Sequence, residues 1–201
     1  YKKLILFDNL LFGMDYLSMA LTKKPYTGVE RNMAYRKSLF FENKGFSSLL
    51  NIEYGEDHLF INKIANSNNT SVVISPDSMV ESNVVDCLST YRTIKGKYLI
   101  TKRHLSGFKA SLQSLEVVSR YIFYFLFILI CLTGVLLSSI NLIAIAITLL
   151  LTRYIVQVFV INKNSKLYNS GKFILSLPLL DLFTPIVNYR FLSYEKKRNE
   201  R

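Results

Sequence analysis

Hydrophobic and polar positions divide the chain into a mixed first part and a long apolar second part. Residues 4–22 repeat apolar side chains near helical spacing, which predicts an amphipathic helix. A second helical pattern begins at Gly55-Glu56-Asp57 and ends in the polar run 66–69. Extended patterns before Ser38, over residues 70–75 and over 79–85 predict short strands. The first part therefore mixes predicted helices and strands.

Residues 121–161 carry a single charged side chain, Arg153. At about 1.5 Å per residue, this apolar stretch is long enough for two helices that each cross about 30 Å of hydrocarbon. We expect transmembrane helices at about 121–140 and 141–161, joined by an uncharged turn at residues 138–141.

A third apolar run, residues 173–192, contains two prolines and Asp181. Two interpretations stay open for it: a kinked third span, or an interfacial or re-entrant segment. An isolated charge within a membrane is costly. Asp181 and Arg153 lie at similar distances from the polar loop 162–172, so we expect them to form an ion pair.

The formal net charge of +11 comes with a high apolar content. Residues 90–120 are strongly basic, and within them residues 108–120 predict an amphipathic helix on the membrane surface. The positive-inside rule places this segment and the loop 162–172 in the cytoplasm. The segment lacks a recognisable nucleic-acid module, so its positive charge indicates attraction to anionic membrane lipids, and no nucleic-acid partner is expected.

Glu56 and Asp57 are the first candidates for chemistry. Two acids at a helix N-terminus usually stabilise the helix through a favourable interaction with its dipole, which is the plain structural interpretation. A paired carboxylate can also serve as a general base. For His58 a helix-surface histidine is the commoner case, and a ligand or proton-shuttle role is the alternative.

Three segments together resemble family 2 glycosyltransferases, most closely the membrane-anchored bacterial members. The first contains Gly28, Asn32, Ala34, Tyr35 and Arg36 and continues to Gly45-Phe46; the second is Glu56-Asp57; the third is Ile100-Thr101-Lys102-Arg103-His104, just before a membrane segment. The third departs from the family pattern, which has Gln where Ile100 stands and Trp where His104 stands.

The resemblance implies an α/β fold: an incomplete GT-A type domain, its acceptor half, over residues 1–107. An interfacial helix (108–120) and a helical membrane region (121–201) follow. It implies that Asp57 is the catalytic base and Glu56 its supporting neighbour. It assigns acceptor or donor binding to the following residues: Gly28, Asn32, Arg36, Arg103 and His104.

The implied reaction is inverting transfer of a sugar from a nucleotide-diphosphate sugar to a lipid-linked or membrane-proximal glycan. Family members also use a divalent metal, Mg²⁺ or Mn²⁺, held by an Asp-x-Asp motif, which this sequence does not contain. The metal ligands and the nucleotide-binding half are therefore expected upstream of Tyr1. The expected location is the inner cell membrane, multi-pass, with the catalytic part in the cytoplasm. The alternative is a non-catalytic membrane anchor or scaffold whose basic cytosolic face binds lipids or a partner.

Overall fold

The computed structural model describes residues 1–52, 54–80, 85, 87–105 and 108–199, except for the side chains of Pro76 and residues 108–114. The α-helices in this part of the chain are α1 (Lys2–Leu21), α2 (Lys37–Glu42), α3 (Glu56–Ile64), α4 (Leu88–Thr101), α5 (Phe108–Leu136), α6 (Ile140–Leu167) and α7 (Leu177–Asn199). Short 3₁₀ turns lie at Glu30–Asn32, Ser47–Leu49, Pro76–Ser78, Lys102–His104 and Ile174–Ser176.

The predicted α/β class is wrong, because the described residues form helices and loops and contain no β-strand. Residues 71–75 are in a loop with no regular structure, and Val73 and Ile74 are exposed to solvent. A strand needs a neighbour for its backbone N–H and C=O groups, and no second strand lies beside this segment in the described chain. Residues 81–84 of the other predicted strand lie outside the described residues.

Four helix pairings organise the fold. Helices α5 and α6 form an antiparallel hairpin, α7 packs along α4, and α1 contacts both α6 and α7. One buried cluster joins α1 to α6 and to the start of α7, through Phe7, Leu10, Ile161, Phe173 and Leu177. A second joins α1, α4 and α7 through Ile5, Tyr91 and Phe191. Helix α1 therefore connects the membrane hairpin to the α4–α7 pair.

The α1–α4–α7 contact also buries polar groups. Asp8 lies inside this contact, where its Oδ2 is 2.6 Å from the Lys95 amine and its Oδ1 accepts a hydrogen bond of 3.2 Å from Asn188. The Tyr91 hydroxyl donates to the same carboxylate, and burial raises the pKa of this phenol. Asp8 lies within the predicted helix 4–22, and its partners come from helices more than eighty residues away in the sequence.

By length and composition, three helices of the described chain could cross a membrane: Lys2–Leu21, Leu115–Leu136 and Ile140–Leu167. The last two correspond to the predicted hairpin, and α5 continues without a break from Phe108 through the predicted interfacial segment. Many large apolar side chains of α5 and α6 are exposed, as expected of helices that face lipid. The third predicted apolar run forms the Ile174–Ser176 turn and α7, which contains Pro185 and packs against α4.

The predicted ion pair between α6 and α7 is confirmed. Arg153 Nη2 lies 3.1 Å from Asp181 Oδ2, and the Asp181 side chain is only 4% exposed. Arg120 of α5 adds a second cation, with its Nε 3.2 Å from Asp181 Oδ1 and its Nη1 donating to the Asp181 carbonyl at 2.8 Å. Tyr124 donates a further hydrogen bond of 2.9 Å to Asp181 Oδ2. One carboxylate thus links α5, α6 and α7.

Candidate functional site

The N-terminus of α3 is fixed against the end of α4. Gly55, the residue before α3, has φ +83° and ψ +31°, a left-handed conformation that suits glycine. A Cβ at this position would lie 2.3 Å from Thr101 Cγ2, so the backbone lies directly against the Thr101 side chain. Thr101 Oγ1 also donates a 2.9 Å hydrogen bond to the Tyr54 carbonyl. These contacts hold Glu56 and Asp57 beside the Lys102–His104 turn that follows α4.

Asp57 is directed toward the loop that contains Gly28. Its Oδ2 accepts a hydrogen bond of 3.1 Å from the Glu30 backbone N–H, and its side chain is 15% exposed. Its Oδ1 accepts no hydrogen bond from the described residues, so this oxygen is available to a ligand. Glu56 is exposed, and its side chain forms no hydrogen bond or ion pair with the residues that the structure describes. The two acids therefore differ: Asp57 belongs to a structured site, whereas Glu56 faces solvent.

Gly28 allows the loop to approach α3 closely. A Cβ there would lie 2.7 Å from Met33 Sδ and 3.3 Å from Ile61 Cγ1. Movement of the flexible Met33 side chain would relieve the first contact, and a shift of a few tenths of an ångström at Ile61 would relieve the second. The small size of Gly28 therefore lets the loop lie directly against α3.

His58 lies inside the site. The commoner interpretation, a histidine on a helix surface, is therefore wrong. Its side chain is 13% exposed, and its Nδ1 is 3.0 Å from Thr27 Oγ1. Its ring contacts the ring of Tyr98 at 5.1 Å and that of Phe12 at 6.1 Å, centre to centre. Burial lowers the pKa of His58, and the nearby Asp57 carboxylate only partly opposes this effect. The imidazole is therefore favoured in its neutral form.

Nε2 of His58 lies 3.8 Å from Asp57 Oδ2. This distance is too long for a direct hydrogen bond, so the two side chains are neighbours without a direct bond. Thr27, Tyr98 and Phe12 come from three separate parts of the chain. The spacing of residues around His58 in the sequence therefore does not indicate that its side chain is buried.

The basic turn after α4, Lys102–His104, lies next to the N-terminus of α3. Leu105 packs with Tyr26 and Leu59 in a buried cluster, which brings Lys102–His104 to this end of the site. Arg103 and His104 are exposed, and within the described chain neither forms an ion pair. Their side chains are available to an anionic ligand, but they do not contact Asp57.

Lys102 was not singled out from the sequence. It is half-buried, and burial lowers its pKa, an effect that the Asp15 carboxylate opposes. Asp15 in turn accepts a 2.8 Å hydrogen bond from the Tyr26 hydroxyl. A lysine in a charge run is usually solvated, so only the packing of α1 against this turn identifies Lys102 as part of the site.

Asn32 and Arg36 form no hydrogen bond or ion pair with Asp57 in the described structure. Asn32 Nδ2 donates a 3.0 Å hydrogen bond to the Ser78 carbonyl, which connects the loop to the Pro76–Ser78 turn. Arg36 is exposed directly before α2 and has no ion-pair partner in the described part of the chain. The amide of Asn32 thus has a structural contact, whereas the guanidinium of Arg36 is open to a ligand.

The residues around Asp57 do not fit a divalent metal ion. Within the described ranges, no three His, Cys, Asp or Glu side chains lie close enough together to hold one. Glu56 faces solvent, and the contact of Asp57 with Glu30 is made by the backbone N–H of Glu30. The described residues around Asp57 therefore do not form a site for such an ion.

Comparison with known proteins gives no family assignment: no protein-family model, no curated protein and no solved structure matches this chain.

Proposed function

We propose that this chain takes part in inverting sugar transfer at a membrane surface, from a nucleotide-diphosphate sugar to a lipid-linked or membrane-proximal glycan. The observation that carries the proposal is the environment of Asp57. One of its oxygens is held by the Glu30 N–H, and the other accepts no hydrogen bond from the part of the chain that the structure describes. A positioned carboxylate with one free oxygen suits a general base.

In this reaction Asp57 removes the proton from the acceptor hydroxyl as that oxygen attacks the anomeric carbon. A new bond forms between the acceptor oxygen and the sugar, and the bond from the sugar to the diphosphate breaks. The nucleotide diphosphate leaves with the electron pair of that bond. The exposed guanidinium of Arg103, close to the site, suits the developing charge on the diphosphate because arginine binds phosphate in a bidentate manner.

The resemblance to family 2 glycosyltransferases supports this proposal through the order of three segments along the chain. In the fold, the Gly28 loop and Asp57 are in contact. The Lys102–His104 turn lies near them through the packing of Leu105. The all-α fold of the described residues means that the support comes from this local arrangement and not from the sheet of a GT-A domain.

The membrane hairpin gives the proposal its location. We infer that α5 and α6 cross the inner cell membrane and that the Asp57 site faces the cytoplasm. The basic residues of α4 precede the hairpin and Lys172 follows it, so a hairpin that crosses the membrane twice would leave them on the same side, in agreement with the positive-inside rule for cytoplasmic segments. The acceptor would then be presented from the membrane surface next to the site.

The test is Asp57→Asn in the complete protein, assayed in membranes for transfer of labelled sugar to extracted lipid or glycan. Asparagine keeps the shape of aspartate and can still accept from the Glu30 N–H, but it cannot take up the proton. We expect transfer to fall by at least about 10²-fold, as is typical for loss of a general base. Membrane insertion and nucleotide binding should not change.

Asp77→Asn is the matched control. Asp77 is also acidic and lies in a short helical turn, but it is exposed and distant in sequence from the site. Its variant should transfer sugar at the wild-type rate. If Asp57→Asn retained full transfer, the enzyme proposal would be wrong.

A second candidate function is a non-catalytic membrane anchor or scaffold. The all-α fold favours it, because the described residues lack the sheet on which nucleotide-sugar enzymes of this class are built. In that case both variants would leave the protein's association with membranes and partners unchanged, and no transfer would be detected for the wild type.

A further inference from the structure

A surface groove runs along the last three turns of α6. Its volume is about 580 Å³. One wall is a single face of α6, because its residues recur at intervals of three and four positions. The groove is lined by Tyr154, Ile155, Val158, Phe159, Asn162, Lys163, Lys166 and Ile174.

Ile174 forms the second wall of the groove, and a hydrogen bond fixes it to α6. The Tyr154 hydroxyl donates to the Ile174 carbonyl at 2.8 Å, which connects α6 to the Ile174–Ser176 turn. Phe173, directly before this turn, is buried in the cluster that includes Ile161 of α6. These contacts hold both walls of the groove in fixed positions relative to each other.

The chemistry of the groove changes along its length. Its inner end is apolar, with Ile155 and Phe159 both exposed. Its outer end carries Lys163 and Lys166, which are also exposed and have no ion-pair partner in the described ranges. The sequence from Lys163 to Lys172 contains no acidic residue. An occupant with an apolar body and an anionic end matches this arrangement.

The depth of the groove in the membrane agrees with its chemistry. Lys163 lies 23 positions after Ile140, the first residue of α6, which is about 34 Å along the helix axis. A hydrocarbon core of about 30 Å therefore ends just before Lys163, at the level of the lipid headgroups. Ile155 lies about 12 Å deeper, among the acyl chains.

We propose that this groove binds one anionic phospholipid of the membrane. Its phosphate would contact Lys163 and Lys166, and one acyl chain would lie along Ile155 and Phe159. The apolar wall that continues from the lysines selects a lipid over a free phosphate ion. The proposal requires that α6 crosses the membrane, but it does not require sugar transfer.

Native mass spectrometry of the complete protein tests the proposal. The protein is released from nanodiscs that contain phosphatidylglycerol and phosphatidylcholine in equal amounts. We expect one phosphatidylglycerol to stay bound per chain in preference to phosphatidylcholine. Lys163→Gln or Lys166→Gln should each lower its affinity about fivefold, the usual contribution of one lysine near an anionic surface.

Two matched controls separate the groove from general attraction to the membrane. Lys172→Gln removes a lysine that is exposed in the same basic loop but outside the groove, and it should leave retention unchanged. Ile155→Trp fills the apolar end and should displace the lipid, whereas Leu151→Trp, at an exposed position outside the groove, should not. Equal retention of phosphatidylcholine, an equal effect of Lys172→Gln, or an Ile155→Trp variant that still holds the lipid would each overturn the proposal.

Discussion

Replacing Asp181 by asparagine should destabilise the protein more than any other single change among the residues that join its membrane helices. Asparagine has nearly the same size, so packing is preserved, but the negative charge is lost. Arg120, whose side chain is 5% exposed, would keep its positive charge without this carboxylate. Arg153, at 25% exposed, would lose its only acidic partner in the described chain.

The size of the effect follows from these partners. Breaking a buried ion pair by removing one member costs about 3–5 kcal/mol, because the remaining charge stays buried without compensation. Arg120 also contacts Glu116, whose side chain is 59% exposed, so part of its charge stays compensated. We therefore expect the lower end, about 3 kcal/mol. For a chain of this length that corresponds to a decrease of about 6–12 °C in Tm.

Arg153→Leu should cost less, about 1 kcal/mol, because Asp181 then keeps Arg120 and the Tyr124 hydroxyl. The double variant should be less unstable than the sum of the two single variants, since Arg153 and Asp181 contact each other. The Tm of the single and double variants can be measured by far-UV circular dichroism during heating in a nonionic detergent at neutral pH. Asp77→Asn, an exposed position, is the control. A wild-type Tm for Asp181→Asn together with a large loss for Arg153→Leu would refute this account.

Two further predictions concern the candidate site. Gly55→Ala should lower stability by at least about 2 kcal/mol, because alanine is strained at positive φ and its Cβ would overlap the Thr101 side chain. The control is Gly171→Ala, at φ +91° with open space around it, which should lose only the stability that the backbone strain costs. Equal losses of stability in the two variants would contradict the close contact between Gly55 and Thr101. Because burial lowers the pKa of His58, the unfolded chain binds more protons than the folded one below about pH 6.5, so Tm should fall as the pH decreases below that value. His58→Gln should remove this component and His104→Gln, the exposed histidine, should not; an identical pH dependence in all three proteins would show that His58 is not buried in solution.

The fold was predictable from the sequence where long, periodic segments decide it. The apolar run 121–161 has one charge, and it forms the two helices of the hairpin. The helix over residues 4–22 and the one that begins at Glu56 were also found. The strand predictions before Ser38 and over residues 70–75 failed because β-branched residues favour strands only when a neighbouring strand is present to pair with them. Residues 70–75 have no such neighbour in the described chain.

For the site, sequence order identified Asp57 and Gly28, which the structure brings into one contact region through the Glu30 N–H. The helical pattern did not distinguish Asp57 from Glu56, because both are acids in the first turn of a helix; only the family resemblance named Asp57 as the base. It also did not identify Lys102 or the burial of His58. Each of these depends on residues of α1 and α4 that are distant along the chain.

The sequence by itself determined that residues 121–161 are apolar enough to cross a membrane twice and that helices begin near residues 4 and 56, because these properties depend on neighbouring residues. It also determined that Arg153 and Asp181 should pair, because an unpaired charge at membrane depth is too costly. Only the tertiary structure decided that Arg120 shares that carboxylate, that Asp8 is buried among α4 and α7, and that Asp57 faces the Gly28 loop. The physical reason is that burial and ion pairing depend on which distant segments pack together, and local periodicity carries no record of that packing.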